Sequence, residues 1–460
     1  ERQSQEEKRH RAVVDVDLET KLILNIQEKP QGECNSRFAM PVFYCFRKHT
    51  LPLFRDFILQ HPTKSFGEFM SWLLKRQPIY GMKLPVAFSL IGADVHLADY
   101  AASIRCRELA DKGVGYGKHT HRAYARVGIL GNPSDGFFGK TIAMTIKNFW
   151  AQATIYPSER LQIVPHPLHD PTQFGSLGDL HRISQKEGYM GGLRLIQATC
   201  KKFFEECARR GIALPRQNFT LSYDTNIPRQ VGLAGSSAIV TATTRCLMSF
   251  FQLGASEFPK EQLPNFVLSV EMEELFIQGG LQDRVVQVYE GLLSMDFDRG
   301  LLESRKYGTY VQMDMAHAPP LWLAYCPDPS DSGRIHSNVK ERWRQGDPEV
   351  IAGMKSLAQL VDEGRLAIEA HDWALLAQLM DRNFSIRRQM FGDEALGTAN
   401  LEMISIAQQH GSAAKFPGSG GAVIGLCPDP TTFPSLREAL QDAGYVVMRV
   451  TPHAPESPIP

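Results

Sequence analysis

The segment IPRQVGLAGSSAIVTA (227–242) constrains this chain more than any other. An alternating strand, FTLSYDTNIP (219–228), runs into a glycine and serine turn, and the turn opens a helix of small residues from about Ser236 to Phe251. Such a turn suits a polyphosphate: Gly232 and Gly235 let the backbone come close, and the free N–H groups and positive end of the helix face the charge. The amides of Gly232, Leu233, Ala234, Gly235, Ser236 and Ser237 are therefore candidate phosphate donors. No Gly-Lys-Ser follows, so this is not a Walker A loop, and the charge must be met by amides and a metal, with the Ser236 or Ser237 hydroxyl as natural ligand.

Two further segments share the pattern. GSAAKFPGSGGAVIGLC (411–427) places Gly418, Ser419, Gly420 and Gly421 between a helix and a buried strand, and RVGILGNPSDGFFGKTI (126–142) is a strand running into a turn with Asp135 at its tip. Around them, strands are expected at 122–131, 141–157 (one or two), 219–228, 291–297, 321–326, 422–427 and 445–450. Helices are expected at 191–211, 236–251, 267–278 and near 334–345, 349–370, 372–391 and 396–410. Upstream, the apolar positions Leu22, Leu24 and Ile26 mark a strand, AMPVFYCF (39–46) a second, LPLFRDFILQ a helix, and VAFSLIGA (86–93) a strand leading to another helix. The Gly-rich stretch DKGVGYGKHTH (111–121) reads as a linker and the tail from 453 as disordered.

Composition excludes several classes of function. Lys plus Arg and Asp plus Glu are 50 each, which gives no basic surface for nucleic acid or an anionic membrane. Eight scattered cysteines without a CxxC pair indicate a reduced, cytoplasmic protein rather than a disulfide scaffold or zinc site. No apolar run reaches the length of a membrane span, and the charged start is unlike a signal peptide. A start at Glu1 rather than Met suggests a fragment or a processed chain.

In order, RVxxxGxxxD, PxxxGLAGSSA and KFPGSGGAVIGL resemble the three motifs of the GHMP superfamily of galactokinase, homoserine, mevalonate and phosphomevalonate kinases. The likeness covers roughly residues 120–452. NPSD, GLQDRVVQVYEGLLSMDF (280–297) and SGRIHSNVKERW (332–343) look like the glucuronokinases within it.

The resemblance implies an α+β fold of two halves, 122–300 ribosomal-S5-like and 301–452 ferredoxin-like, with ATP and sugar between them. It implies ATP and Mg2+ as cofactors and a small sugar acid as substrate, phosphorylated on its anomeric hydroxyl. Other sugars (galactose, fucose, a heptose phosphate) and a non-catalytic binding regulator are the alternatives.

By the same resemblance Asp283 is the catalytic carboxylate and Arg126 lies near the transferred phosphoryl group. Glu271, twelve residues before Asp283, holds the metal with a serine of the second motif, here Ser237. Asp135 binds the sugar, and Asn132 stands where galactokinases carry a glutamate, which weakens galactose as substrate. A sugar carboxylate needs a cation, for which Lys140 and Arg194 are candidates.

Residues 1–112 resemble the C-terminal part of a sugar-phosphate nucleotidyltransferase, joined by a linker at 113–121. Its nucleotide loop is missing, and Leu90 replaces a metal-binding aspartate, so no nucleotidyl transfer is expected.

Overall fold

The structure, a computed structural model, describes residues 12–17, 19–28, 38–39, 50–62, 64–80, 117–171, 174, 176–181, 191–327 and 338–455. The chain divides into two compact units, Glu1–Ser89 and Leu90–Pro460.

In the first unit, strand β1 (Ala12–Val16) pairs antiparallel with β2 (Ile23–Glu28) and with the short β3 (Phe38–Ala39). A register shift between Asp15 and Val16 breaks the strict alternation, so Ile23 and Ile26 are buried while Leu24 is exposed, against the expected Leu22, Leu24 and Ile26 face. Helix α1 (Leu51–Gln60) falls on the expected residues. A second helix, α2 (Phe66–Leu74), is set by a Ser65/Glu68 capping box, and its Phe69, Met70 and Leu73 close the small core with Val14, Ile26 and Phe57. The strand at 86–93, Leu90 and the helix after it lie outside the described residues, and the nucleotidyltransferase likeness remains an expectation.

The second unit is α+β. Its first sheet is built on two long strands, β4 (His119–Leu130) and β5 (Lys140–Pro157). β4 takes in the end of the expected linker, and β5 is one strand rather than two. A register shift between Tyr124 and Ala125 bends the pair, so the start of β5 also pairs with β8 (Leu292–Asp296) and its end with β7 (Phe219–Thr225). The short strand β6 (Gln162–Ile163) flanks β7, and β9 (Thr309–Met313) flanks β8. The first sheet therefore runs to Met313, beyond the boundary expected at residue 300. Helices α3 (Leu193–Arg209) and α4 (Gly235–Phe251) cover it with Leu195, Phe203, Ala238, Val240 and Leu247.

The second sheet is antiparallel in the order β11 (Ala413–Lys415), β12 (Ala422–Leu426), β10 (Leu321–Tyr325), β13 (Val446–Arg449). Between β10 and β11 run helices that include Pro348–Glu369, Trp373–Phe391 and Thr398–Gln409.

The segment after β13 is ordered through Pro455, where disorder was expected from residue 453. Thr451 accepts from Lys147 N–H, and His453 N–H donates to Thr145 O. The buried His453 ring stacks on Tyr124 and lies 3.2 Å from Glu290 Oε2. Residues 328–337 and 456–460 lie outside the described residues.

Candidate active site

The three glycine-rich segments meet. A Cβ on Gly418 would strike Gly232 O and lie 2.8 Å from the Arg126 guanidinium, and one on Gly128 would lie 2.6 Å from Pro417 O. Arg126 N–H also donates to Leu233 O at 3.4 Å. The second turn reaches this packing through positive φ at Gln230, Gly232 and Ala234, of which Ala234 is the N-cap of α4. The first N–H groups of α4, from Gly235, Ser236 and Ser237, have no acceptor within the helix, which is the condition for anion binding.

Helix expected at 267–278 stops early. α5 (Leu263–Ser269) gives way to a wider π turn at Val270–Glu274, and the chain leaves it through Phe276 at φ +56°. The turn separates Glu271 from Glu274. Glu271 is fully buried, whereas Glu273 and Glu274 pair with Lys202 and Lys201 at the surface. A further helix, α6 (Gln282–Tyr289), follows Gly279 and Gly280 and carries Asp283 and Arg284 in its first turn. Those two glycines are required locally: a Cβ on Gly280 would overlap Asp135, and one on Gly279 would lie 2.7 Å from Arg284.

Arg126, 3 % exposed, donates through Nε to Asp283 Oδ1 at 2.6 Å and through Nη1 to Gly232 O at 2.8 Å. Asp135 accepts from the Gln282 N–H at 3.2 Å, beside Asp283. The two carboxylates are tuned apart. Burial raises Asp135, and the negative charge of Asp283 adds to this, pushing its pKa up to about 6. Burial also works against the charge of Asp283, but the guanidiniums of Arg126 and Arg284 outweigh it and hold that carboxyl below the ordinary range.

Arg284, which the sequence reading did not single out, donates to Glu271 Oε2 through Nε at 2.8 Å and Nη2 at 2.5 Å, and to Gly280 O at 2.9 Å. Glu271 Oε1 accepts the Ser236 hydroxyl at 2.6 Å. The serine that meets Glu271 is thus Ser236; Ser237 turns back to Ala234 O at 3.2 Å. A carboxylate oxygen and a hydroxyl at a helix N-terminus are ligand types that Mg2+ accepts when phosphate oxygens and water complete its shell, so Glu271 and Ser236 fit the ion.

Two of the expected substrate contacts are engaged by other protein groups. Asn132 is buried, donates to Phe416 O at 3.1 Å and accepts from Lys415 Nζ at 2.6 Å, so it ties the first turn to the third. Lys140 is held at 2.9 Å by Asp362, with Asp296 at 4.0 Å, as a half-exposed surface pair. Arg194 is exposed in the first turn of α3. Both Lys415, which opens the third motif, and Arg387 are buried around the third turn, and Arg387 carried no sequence signal beyond its charge.

The profile of the GHMP kinases N terminal domain matches residues 194–291, and that of the GHMP kinases C terminal region matches 365–446. The chain is 50% identical over 340 residues to "Probable glucuronokinase 2" of Arabidopsis thaliana, covering 74% of this chain and 92% of that protein. It is 50% identical over 332 residues to "Glucuronokinase 1" of the same plant, covering 72% and 91%. Lactococcus lactis galactokinase complexed with galactose superposes with a TM-score of 0.55 at 14% identity, over 76% of this chain and 97% of that one, a likeness of fold.

Proposed function

The chain belongs to the GHMP kinase family, among its glucuronokinases, and on that premise we propose that it phosphorylates the anomeric hydroxyl of D-glucuronate with ATP and Mg2+. The observation that carries the reading is the Arg126–Asp283 pair, at 2.6 Å, set beside Asp135 and against two glycine turns.

Phosphoryl transfer asks a protein mainly to position reactants and neutralise charge. Asp135, the carboxylate without a guanidinium hydrogen bond among the described residues, accepts sugar hydroxyls. Asp283 orients the anomeric hydroxyl and takes its proton as that oxygen bonds to the γ-phosphorus and the bond to the ADP oxygen breaks. A carboxylate held below its ordinary pKa is a weak base, which suits proton transfer late in a loose transition state. Arg126 stabilises charge on the transferred group. Glu271 and Ser236 would hold Mg2+, which supplies neutralising charge to the phosphates.

Turnover should fall on the acid side through about pH 6, because Asp135 gains its acceptor charge only as pH rises through that value. The measurement is kcat/KM for the sugar against pH, in which Asp135→Asn should lower activity and remove that limb. An unchanged limb in the variant assigns the titration to another group.

A sugar panel with ATP, read by product mass, tests the substrate. Glucuronate should exceed glucose and galactose by at least ~10²-fold in kcat/KM, because polar groups that meet a carboxylate are left unpaired by a neutral sugar. Equal rates with galactose would defeat the substrate and leave the kinase.

A further inference from the structure

Arg387 lies on the helix Trp373–Phe391, outside every glycine-rich segment, and is 3 % exposed. Its Nη1 donates to Gly418 O at 2.8 Å and its Nη2 to Ser419 O at 3.3 Å, with the guanidinium 4.7 Å from the centre of the Phe416 ring. Both peptides are trans, so each carbonyl points opposite to the N–H of the next residue. Pinning the two carbonyls toward Arg387 turns the N–H groups of Ser419 and Gly420 the other way. Both nitrogens lie beside the second turn: a Cβ on Gly232 would lie 2.6 Å from Gly420 O, 3.0 Å from Gly420 N and 3.1 Å from Ser419 N.

Among the described residues neither N–H meets a protein acceptor, whereas the next one, of Gly421, donates to Asn400 Oδ1 at 3.1 Å. Successive free N–H groups turned to one side form an anion-binding concavity. The charge on Arg387 points the same way. No carboxylate among the described residues pairs with it, and its buried Nε has no hydrogen-bond partner. Burial and the neighbouring Arg126 push it down to about 10, so it is still a cation at neutral pH. An unpaired buried charge is costly, and an anion across the turn offsets that cost.

We propose that Arg387 is a positioning residue that holds the Gly418–Ser419 turn with the amides of Ser419 and Gly420 directed at the terminal phosphates of the bound nucleotide. The proposal rests on the kinase reading above, which turnover of the unmodified protein with ATP and glucuronate tests separately.

The experiment is calorimetric binding of ATP, ADP, AMP and glucuronate to the full chain and to Arg387→Met and Arg387→Lys. With Met, ATP and ADP should weaken by ~10–100-fold, the scale of one or two hydrogen bonds to a charged group. AMP and glucuronate should stay within about threefold, a free-energy change under half that of a tenfold loss counted from its lower limit. Lys retains the charge but cannot fork onto two carbonyls, so it should fall between Met and the unmodified protein. Should the Met variant fail to fold, the Lys variant carries the same comparison. Equal weakening of ATP and AMP, or none, overturns the proposal. Selective loss of glucuronate also overturns it, by assigning the anion to the sugar carboxylate.

Discussion

Asp283→Asn is expected to lower kcat by at least ~10²-fold while leaving ATP affinity unchanged or tighter. The amide preserves shape and a hydrogen-bond acceptor for Arg126 Nε, now 2.6 Å away, but it can neither take the sugar proton nor carry charge. Removing that charge leaves Arg126 less neutralised, directly behind the Gly232 carbonyl of the phosphate turn, which favours a polyanion. It also removes the repulsion that helps to raise Asp135, so the acid limb of the pH profile should move to lower pH. The checks are single-turnover rate, calorimetric ATP affinity and the pH profile of the residual activity. Near-normal turnover would take Asp283 out of the chemistry and leave it as the counter-ion of Arg126.

Arg284→Met is expected to cost about 3–5 kcal/mol of stability, because it leaves a buried charge without its partner. Glu271 is fully buried, and among the described residues Arg284 supplies two of the three hydrogen bonds to its carboxylate, Ser236 the third. Without the guanidinium, the buried Glu271 carboxylate loses its counter-ion, which disturbs the candidate metal ligand. Equilibrium urea unfolding gives the loss, and Glu271→Leu combined with Arg284→Met should recover much of it, since replacing both members of a buried pair removes both desolvation costs. A loss below ~1 kcal/mol, the range of exposed ion pairs, would mean that water already reaches the pair.

Much of the site was legible because glycine requirements are local. A backbone that must approach another backbone leaves glycines in the sequence, and Gly232, Gly418 and Gly128 are at the points where the turns touch. The strand before Gly232 and the helix after it were legible for the same reason, since their apolar periodicity is written over consecutive residues. Arg126, Asp135, Asp283 and Glu271, taken from the resemblance of the motifs, are brought together with Arg284 in one partly buried network. The interruption of the helix at Val270–Glu274 was not legible, because the sequence there remains helix-forming and only the inward pull on Glu271 distinguishes the wider turn.

Charge pairing was decided by the tertiary structure alone. Lys140 and Arg387 are both single cations in the sequence, yet one is spent on surface aspartates and the other is buried behind a glycine turn. Asn132 follows the first strand as expected of a substrate contact, but Lys415, far along the chain, turns it into a tie between two motifs. By itself the sequence determined where backbones come close, because that demand falls on the residue's own φ, ψ and missing side chain. Which charges face each other depends on distant residues brought within hydrogen-bond reach, where burial strips away water and a neighbour a few ångströms away sets the protonation, partner and role of each group.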